Sequence, residues 1–245
     1  QTPYIYWGQY DNAAVYRADL DGSNKTTLIS GTGALHTVAV DAANGKIYFN
    51  DNQKIRRANQ DGSGVEDLIT GLGSGTFLAL DVAKNHIYWT HEKAPSEIKR
   101  SDLDGSNITT IYATSANQRY PKFLALDLTN NKMYFRSNNS NNTDYLIRKG
   151  DLDGSGGIVD VISGVGGIEG IALDVLNGKI YYARSNGGDS IWRANLDGTG
   201  NESIVTVSSG RPYGLTISTT NSKLYWTTDT KIQRANLNGS TVETH

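Results

Sequence analysis

The sequence predicts an all-β fold: a six-bladed β-propeller of four-stranded antiparallel blades, with residues 1–245 as a single domain. Three observations predict it. First, an aliphatic–Tyr–aromatic triplet returns six times, as Ile5-Tyr6-Trp7, Ile47-Tyr48-Phe49, Ile87-Tyr88-Trp89, Met133-Tyr134-Phe135, Ile180-Tyr181-Tyr182 and Leu224-Tyr225-Trp226. Successive tyrosines lie 42, 40, 46, 47 and 44 residues apart, and a period of about 40–50 residues marks a propeller blade or a helical repeat pair. Second, each unit is rich in Tyr, Ile, Val and Thr in short runs broken by Gly, Asn and Asp, which favours strands. Third, no stretch keeps a helical apolar period over about 11 residues, which argues against helical repeats.

Four strands can be read in a full unit. The innermost is an apolar run ending in an acid, as in Val38-Ala39-Val40-Asp41, Leu78-Ala79-Leu80-Asp81, Leu124-Ala125-Leu126-Asp127 and Ile171-Ala172-Leu173-Asp174. A tight turn follows, where Asn44-Gly45 or Asn177-Gly178 suits a hairpin because both residues tolerate positive φ. The second strand carries the Tyr triplet. The third sets an aliphatic residue two positions before a cation, giving Arg17, Arg57, Arg100, Lys149, Arg193 and Arg234. It runs into a second hairpin signal, Asp-Gly-Ser at 21–23, 61–63, 104–106 and 153–155, Asp-Gly-Thr at 197–199 and Asn-Gly-Ser at 238–240. A short outer strand completes the unit.

Radial sheets leave few exposed strand edges, and six copies suffice to close a ring. The copies are not equal in number, however. Strands two, three and four occur six times, but the inner strand only five, the fifth being Gly214-Leu215-Thr216-Ile217-Ser218. Either a closing strand lies beyond these residues, or the first blade has three strands.

Composition bounds the function. The formal net charge of −2 supplies no global field for nucleic acid or an anionic membrane. No apolar run approaches the roughly 18 residues of a membrane span. Cysteine is absent, which removes thiolate metal sites and thiol nucleophiles. A core of this size needs no disulfides, so the absence is compatible with the secreted, extracellular location expected here.

In order along each unit, the Ala-Leu-Asp strand, the Ile-Tyr-Trp strand, the Ile-x-Arg strand and the Leu-Asp-Gly-Ser turn resemble the class B (YWTD) repeat of low-density-lipoprotein receptors, nidogen and Wnt co-receptors. The resemblance covers essentially the whole chain and implies the six-bladed propeller and a protein ligand. The eponymous tetrapeptide is degraded: of its six versions only Tyr48-Phe49-Asn50-Asp51 keeps the acid. In that family the acid is mainly structural.

Loops sort onto two ends of the blades. The Asn-Gly and Asp-Gly-Ser hairpins share one end, and the longer, variable connections share the other, where binding usually resides on a rigid scaffold. The variable end is expected to present His36, Phe77, Tyr120, Lys122, Glu169, Arg211 and Tyr213 ahead of the inner strands. From the connections between second and third strands it presents Tyr10, Asp51, Asn52, His91, Glu92, Arg184, Asp189 and Asp229. Aromatics beside Asn, Asp and Arg can stack on a sugar or cap a peptide. The periodic residues carry the opposite expectation: the Tyr-aromatic pairs pack between blades, and the cations form a structural ladder to carboxylates or loop carbonyls. Asp41, Asp81, Asp127 and Asp174 end inner strands. They can either hold Ca²⁺, a hard cation that prefers several oxygens, or cap their turns. Asn24, Asn107, Asn138, Asn141, Asn201 and Asn238 stand in Asn-x-Ser/Thr acceptor sites.

The leading expectation is therefore a non-enzymatic extracellular recognition domain that requires no cofactor. The Tyr- and Asn-rich loops tilt it toward a lectin-like glycan binder, and the resemblance tilts it toward a protein ligand. The alternative is a calcium-dependent, lactonase-like hydrolase, but the four histidines (36, 86, 91 and 245) show no metal-ligand spacing, and no nucleophile motif is present.

Overall fold

The computed structural model describes residues 4–73, 75–92, 95–114, 119–138, 145–208 and 210–244. Its fold is a six-bladed β-propeller, and every regular element among the described residues is a strand. Residues 1–124 and 125–245 form two compact units.

The first unit opens with a three-stranded sheet, β1 (Tyr4–Gln9), β2 (Ala14–Asp19) and β3 (Thr26–Ser30). Two four-stranded meanders follow. One is β4 (Val38–Asp41), β5 (Lys46–Asp51), β6 (Lys54–Asn59) and β7 (Glu66–Ile69); the other is β8 (Leu78–Asp81), β9 (His86–His91), β10 (Glu97–Asp102) and β11 (Thr109–Ala113). The fourth sheet begins with β12 (Arg119–Asp127). In the second unit it continues through β13 (Lys132–Asn138), β14 (Tyr145–Asp151) and β15 (Val159–Val165). The fifth is β16 (Ile168–Asp174), β17 (Lys179–Arg184), β18 (Ser190–Asn195) and β19 (Glu202–Thr206), and the sixth is β20 (Leu215–Ser218), β21 (Lys223–Thr227), β22 (Ile232–Asn236) and β23 (Glu243–Thr244). Five sheets thus have four strands, and the first has three among the described residues, in line with the five inner strands counted in the sequence.

Alternation along the second strand explains the triplet. Ile47, Tyr48 and Phe49 are all buried, as are Ile87, Tyr88 and Trp89, because both faces of a middle strand meet a neighbouring blade. Ile47 and Phe49 pack with Val15 and Ile29 of the first blade, whereas Tyr48 joins Ile87 and Trp89 of the third. In the second unit Tyr181 packs likewise against Leu224 and Trp226 of the next blade.

The joint between consecutive blades is a repeated latch. The Asp-Gly-Ser turn of one blade abuts the outer strand of the blade before it. Gly62, Gly105, Gly198 and Gly239 have φ between 85° and 88°, and a Cβ at each would overlap the carbonyl of Leu28, Leu68, Val161 and Ile204, respectively. Glycine is therefore required twice over, for the left-handed backbone and for the close approach. The residue leading into the turn takes hydrogen bonds from the previous blade. Tyr134 Oη donates to Leu196 O at 3.2 Å, Tyr181 Oη to Leu237 O at 3.1 Å, Arg57 Nη1 to Leu103 O at 3.2 Å and Arg193 Nη1 to Leu237 O at 3.3 Å. Burial, then the Asp127 and Asp197 carboxylates, pushes the Tyr134 phenol up to about 12, so it remains a neutral donor. Arg57 and Arg193 also pair with Glu66 and Glu202 on their own outer strands. Arg17 reaches Gln60 O and Arg234 pairs with Glu243, so these four members of the cation series serve the scaffold.

Within each turn the acid accepts from the hydroxy residue two positions on, as in Ser63 N to Asp61 Oδ1 at 2.9 Å and Ser63 Oγ to the same oxygen at 2.6 Å. These bonds hold Asp61, Asp104 and Asp197 below the usual carboxylate range, the hydroxyl first and the backbone N–H second. At Asp153 the backbone N–H leads. A feature invisible to periodicity is a register shift between third and outer strands at Val15/Tyr16, Ile55/Arg56, Ile98/Lys99 and Ile191/Trp192. A bulge at this place increases local twist.

Gly198→Ala is expected to lower stability well beyond Gly178→Ala. Gly178 also has positive φ, at 64°, but meets nothing within 4 Å; its replacement costs only the left-handed term of about 1–2 kcal/mol, and urea denaturation of the two variants compares them. Because the four turn acids have lowered folded pKa values, their contribution is present above about pH 4 and is lost as pH falls through the depressed values. Replacing all four with Asn, as position 238 already has, is expected to flatten the acid limb of a thermal-midpoint-versus-pH curve below about pH 4.

Candidate functional site

The meander topology sends the variable connections of blades one to three to one end of the first unit. Four rings line up there, three from loops and the fourth from β12. Tyr10 lies 5.5 Å from His36, His36 lies 5.5 Å from Phe77, and Phe77 lies 4.4 Å from Phe123, all tilted at 41–54°. Tyr10 is 59% exposed, Phe77 only 8% and Phe123 partly buried, so the file is most deeply set at Phe77. His36, exposed at its edge, has its pKa lowered by burial and then by the Lys122 ammonium, which leaves a neutral ring near pH 7. Beside the file a cleft of about 500 Å³ is lined by Tyr10, Ala34, His36, Asn52, Gln53 and Gly75 among others.

Buried polar residues of the second strands pin these loops. Asn50, wholly buried, accepts from His36 N at 2.7 Å and Thr37 N at 2.9 Å and donates to Ala34 O at 3.0 Å. In the next blade Thr90 Oγ1 accepts from Phe77 N at 2.9 Å. Lys122 Nζ pairs with Glu92 at 2.9 Å. Around Lys122, Tyr120 and Phe123 both take positive φ, 59° and 52°, which is uncommon for bulky side chains and marks a backbone held by its surroundings. His91 Nδ1 lies 3.6 Å from Glu97. Asn52, at φ 51°, accepts from Ala34 N at 3.0 Å and keeps an exposed side.

Asp51 has a different role. It is 8% exposed, one oxygen accepts from Gly33 N at 2.6 Å and the other from Arg56 Nη1 at 2.8 Å. Its carboxylate is spent on anchoring the loop, the role that the YWTD resemblance implies for this acid.

The variable end of the second unit forms a separate polar group. Arg211 pairs with Glu169, lies 5.5 Å over the Tyr213 ring, and has a backbone N–H that reaches Asp229 Oδ2 at 3.2 Å. Ser185 Oγ donates to the same Glu169 oxygen at 3.1 Å. Burial, then Asp229, raises the Tyr213 pKa. Asp189 adds negative charge near Arg211, while Arg184 lies 5.4 Å over Trp192. The sequence-derived candidates of this unit therefore gather, with Arg211 45% exposed in its side chain.

The inner-strand acids do not gather. Asp41, Asp127 and Asp174 each accept from the backbone N–H and side-chain amide of Asn44, Asn130 and Asn177, and Asp81 accepts from Lys84 N at 3.1 Å. They cap the hairpin turns, the second of the two alternatives raised for them. Among the described residues no group of three or more His, Cys, Asp or Glu is placed to hold a metal. Of the acceptor asparagines, Asn24, Asn107, Asn201 and Asn238 are exposed at the hairpin end. Asn138 is 4% exposed with its carbonyl oxygen accepting from Arg136, which leaves its amide no room for a glycan. Asn141 lies outside the described residues.

Phe123 and Asn50 were missed from sequence. A signal for Phe123 existed: it precedes Leu124-Ala125-Leu126-Asp127 as Phe77 precedes Leu78-Ala79-Leu80-Asp81.

This architecture is shared with solved structures. The chain superposes on one from a crystal structure of a nidogen/laminin complex with a TM-score of 0.83 and 16% identity, covering 98% of this chain and 92% of that one. A putative TolB from Agrobacterium tumefaciens gives 0.75 and 16% over 90% and 83%. A calcium-binding protein, regucalcin, from the same organism gives 0.66 and 10% over 86% and 73%. At these identities the likeness is one of fold, and the fold is that of the nidogen propeller to which the class B repeats pointed. In sequence, protein cueball of Drosophila yakuba is 30% identical over 115 residues, 46% of this chain and 17% of that protein, so the match spans about a sixth of the relative's length. No protein-family profile matches the chain.

Asp51→Ala is expected to cost about 1–3 kcal/mol by leaving the Gly33 N–H without its acceptor and Arg56 with Asp67 alone. Exposed Asp229→Ala should stay within about 0.5 kcal/mol. Chemical denaturation of both separates a buried acid that anchors its loop from an exposed one whose hydrogen bond to Arg211 N is open to solvent.

Proposed function

We propose that this propeller is a non-enzymatic recognition module, acting outside the cell, that binds a protein partner at its variable-loop end. The observation that carries this reading is the file Tyr10–His36–Phe77–Phe123, in which rings from three loops and from β12 pack against one another at tilted angles, with Tyr10 open to solvent. Pre-packed rings lose little side-chain entropy on binding, and an aromatic cluster rimmed by polar groups is the usual anatomy of a protein-binding centre. Here the rim is Asn52, Lys122 and Glu92. The nidogen structure supports the same direction, since it is a complex with another protein. A protein ligand is thereby preferred to the glycan that loop composition favoured. No cofactor is needed for such binding. No helix among the described residues is long and apolar enough to cross a membrane.

The test is to probe arrays of extracellular matrix proteins and of glycans with the wild-type chain and with a Tyr10→Ser/His36→Asp double variant. Protein ligands whose binding falls roughly thirtyfold in the variant, with EDTA without effect and the glycan array silent, are the expected result. Glycan binding unaffected by the variant, or EDTA-sensitive lactone hydrolysis, would overturn the reading.

A further inference from the structure

Around the cleft beside the ring file, hydrogen-bond acceptors are spent and donors are not. Asp51 accepts from Gly33 N and Arg56 Nη1, and Asn52 Oδ1 accepts from Ala34 N at 3.0 Å. The main-chain carbonyls of the wall are occupied as well. Ala34 O accepts from Asn50 Nδ2 at 3.0 Å and from Asn52 N at 3.2 Å, and Gln53 O accepts from Leu72 N at 2.9 Å. Asn52 Nδ2, by contrast, donates to nothing among the described residues, although its residue is exposed. The exposed Gln53 carboxamide and the Tyr10 hydroxyl stand beside it with donors to offer. The charges of the lining already have partners: Asp51 holds Arg56, and Lys54 Nζ pairs with Asp67 at 2.6 Å.

This imbalance selects among ligands. A sugar presents hydroxyls, and each brings a donor that needs an acceptor, of which the wall keeps few. A charged segment would lose hydration without meeting an opposite free charge. What fits is uncharged, apolar along one flank and rich in unengaged carbonyls. A polyproline II helix has all three properties, since it makes no internal hydrogen bonds and its prolines carry no N–H. Its residues i and i+2 lie roughly 6 Å apart along the axis. That matches the 5.5 Å from Tyr10 to His36 and again from His36 to Phe77. The cleft volume of about 500 Å³ accommodates a few residues of such a segment.

We propose that the cleft takes a proline-rich segment of the partner in the polyproline II conformation, with pyrrolidine rings on Tyr10 and His36 and a main-chain carbonyl accepting from Asn52 Nδ2. The proposal rests on the loop-end reading above and gives the chemistry of the partner. Such a segment is stiff before it binds, and the rings that receive it are already packed, so neither side loses much freedom. Rings supply the contact area, and the amide donor fixes where along the segment a carbonyl must fall.

The probe is octaproline, acetylated and amidated at its ends, added to the 245-residue chain and followed by the side-chain amide NMR signals of Asn52 and Gln53. Saturable shifts are expected, and they are lost in Tyr10→Ser/His36→Asp. Asn52→Asp keeps the oxygen that accepts from Ala34 N but turns the free donor into an acceptor. It should weaken octaproline roughly fivefold or more. All-D octaproline, with the same composition and the opposite hand, should leave the signals unmoved. The proposal is overturned if octaproline gives no saturable shift, if the D-peptide binds equally well, or if Asn52→Asp binds as tightly as wild type. Should the array yield a protein ligand that depends on Tyr10 and His36 while octaproline stays silent, this proposal fails and the recognition-module reading stands. Saturable octaproline binding with no ligand on the protein array strikes that reading instead.

Discussion

The joint on which the rest of this fold depends is the meeting of a turn glycine with a neighbour's outer-strand carbonyl. The approach is too close for any Cβ at Gly62, Gly198 or Gly239, and the same glycines sit where only a left-handed backbone closes the turn. The turn's leading carbonyl is then taken by Tyr or Arg donors of the preceding blade. Local turn chemistry and long-range packing therefore select the same residue, and this consistency between levels is what makes a sequence specify one structure. The Tyr Oη could not be buried without its acceptor, and the acceptor would not be in reach without the glycine.

That joint also divides the residues by role. Everything that touches it recurs once per blade: the Tyr, the third-strand cation, the Asp-Gly-Ser turn. Residues at the opposite end escape the constraint, and there the chain places Phe77 and Phe123 in positions that other blades fill with Gly170 and Gly214, with His36 one position earlier in its own blade. The aperiodic rings form a continuous file because the periodic scaffold holds their loops side by side. Asn50 and Thr90 connect the two regimes, being second-strand residues whose side chains fix the backbone of the ring-bearing loops.

The sequence made the blades legible because each blade repeats a pattern of period two with fixed punctuation, and errors in one copy are corrected by five others. The capping role of Asp41 and Asp127 was open between turn and metal, since an acid at a strand end looks the same in both. The deciding partners, Asn44 and Asn130, lie three residues on, and their meaning emerges only once the turn is built. Asp51 reads as a loop acid until Arg56 and the Gly33 N–H are seen to converge on it. The bulges after Val15, Ile55, Ile98 and Ile191 leave no mark in side-chain type at all, because they are a property of how two backbones share register. Asn138 satisfies the acceptor pattern for glycosylation yet is buried, a fact set by its neighbour Arg136 and by nothing in the pattern.

Strain at the loop end follows the same division. Tyr120 and Phe123 hold left-handed backbones that cost each of them roughly 1–3 kcal/mol, and a lone loop would relax. They persist because Lys122 between them is tied to Glu92 and Phe123 is wedged against Phe77, while Phe77 is itself fastened by Thr90. A scaffold with stability to spare can hold a few side chains in conformations they would not choose. That rigidity is what a recognition surface needs, since rings already ordered before a partner arrives have little freedom left to lose.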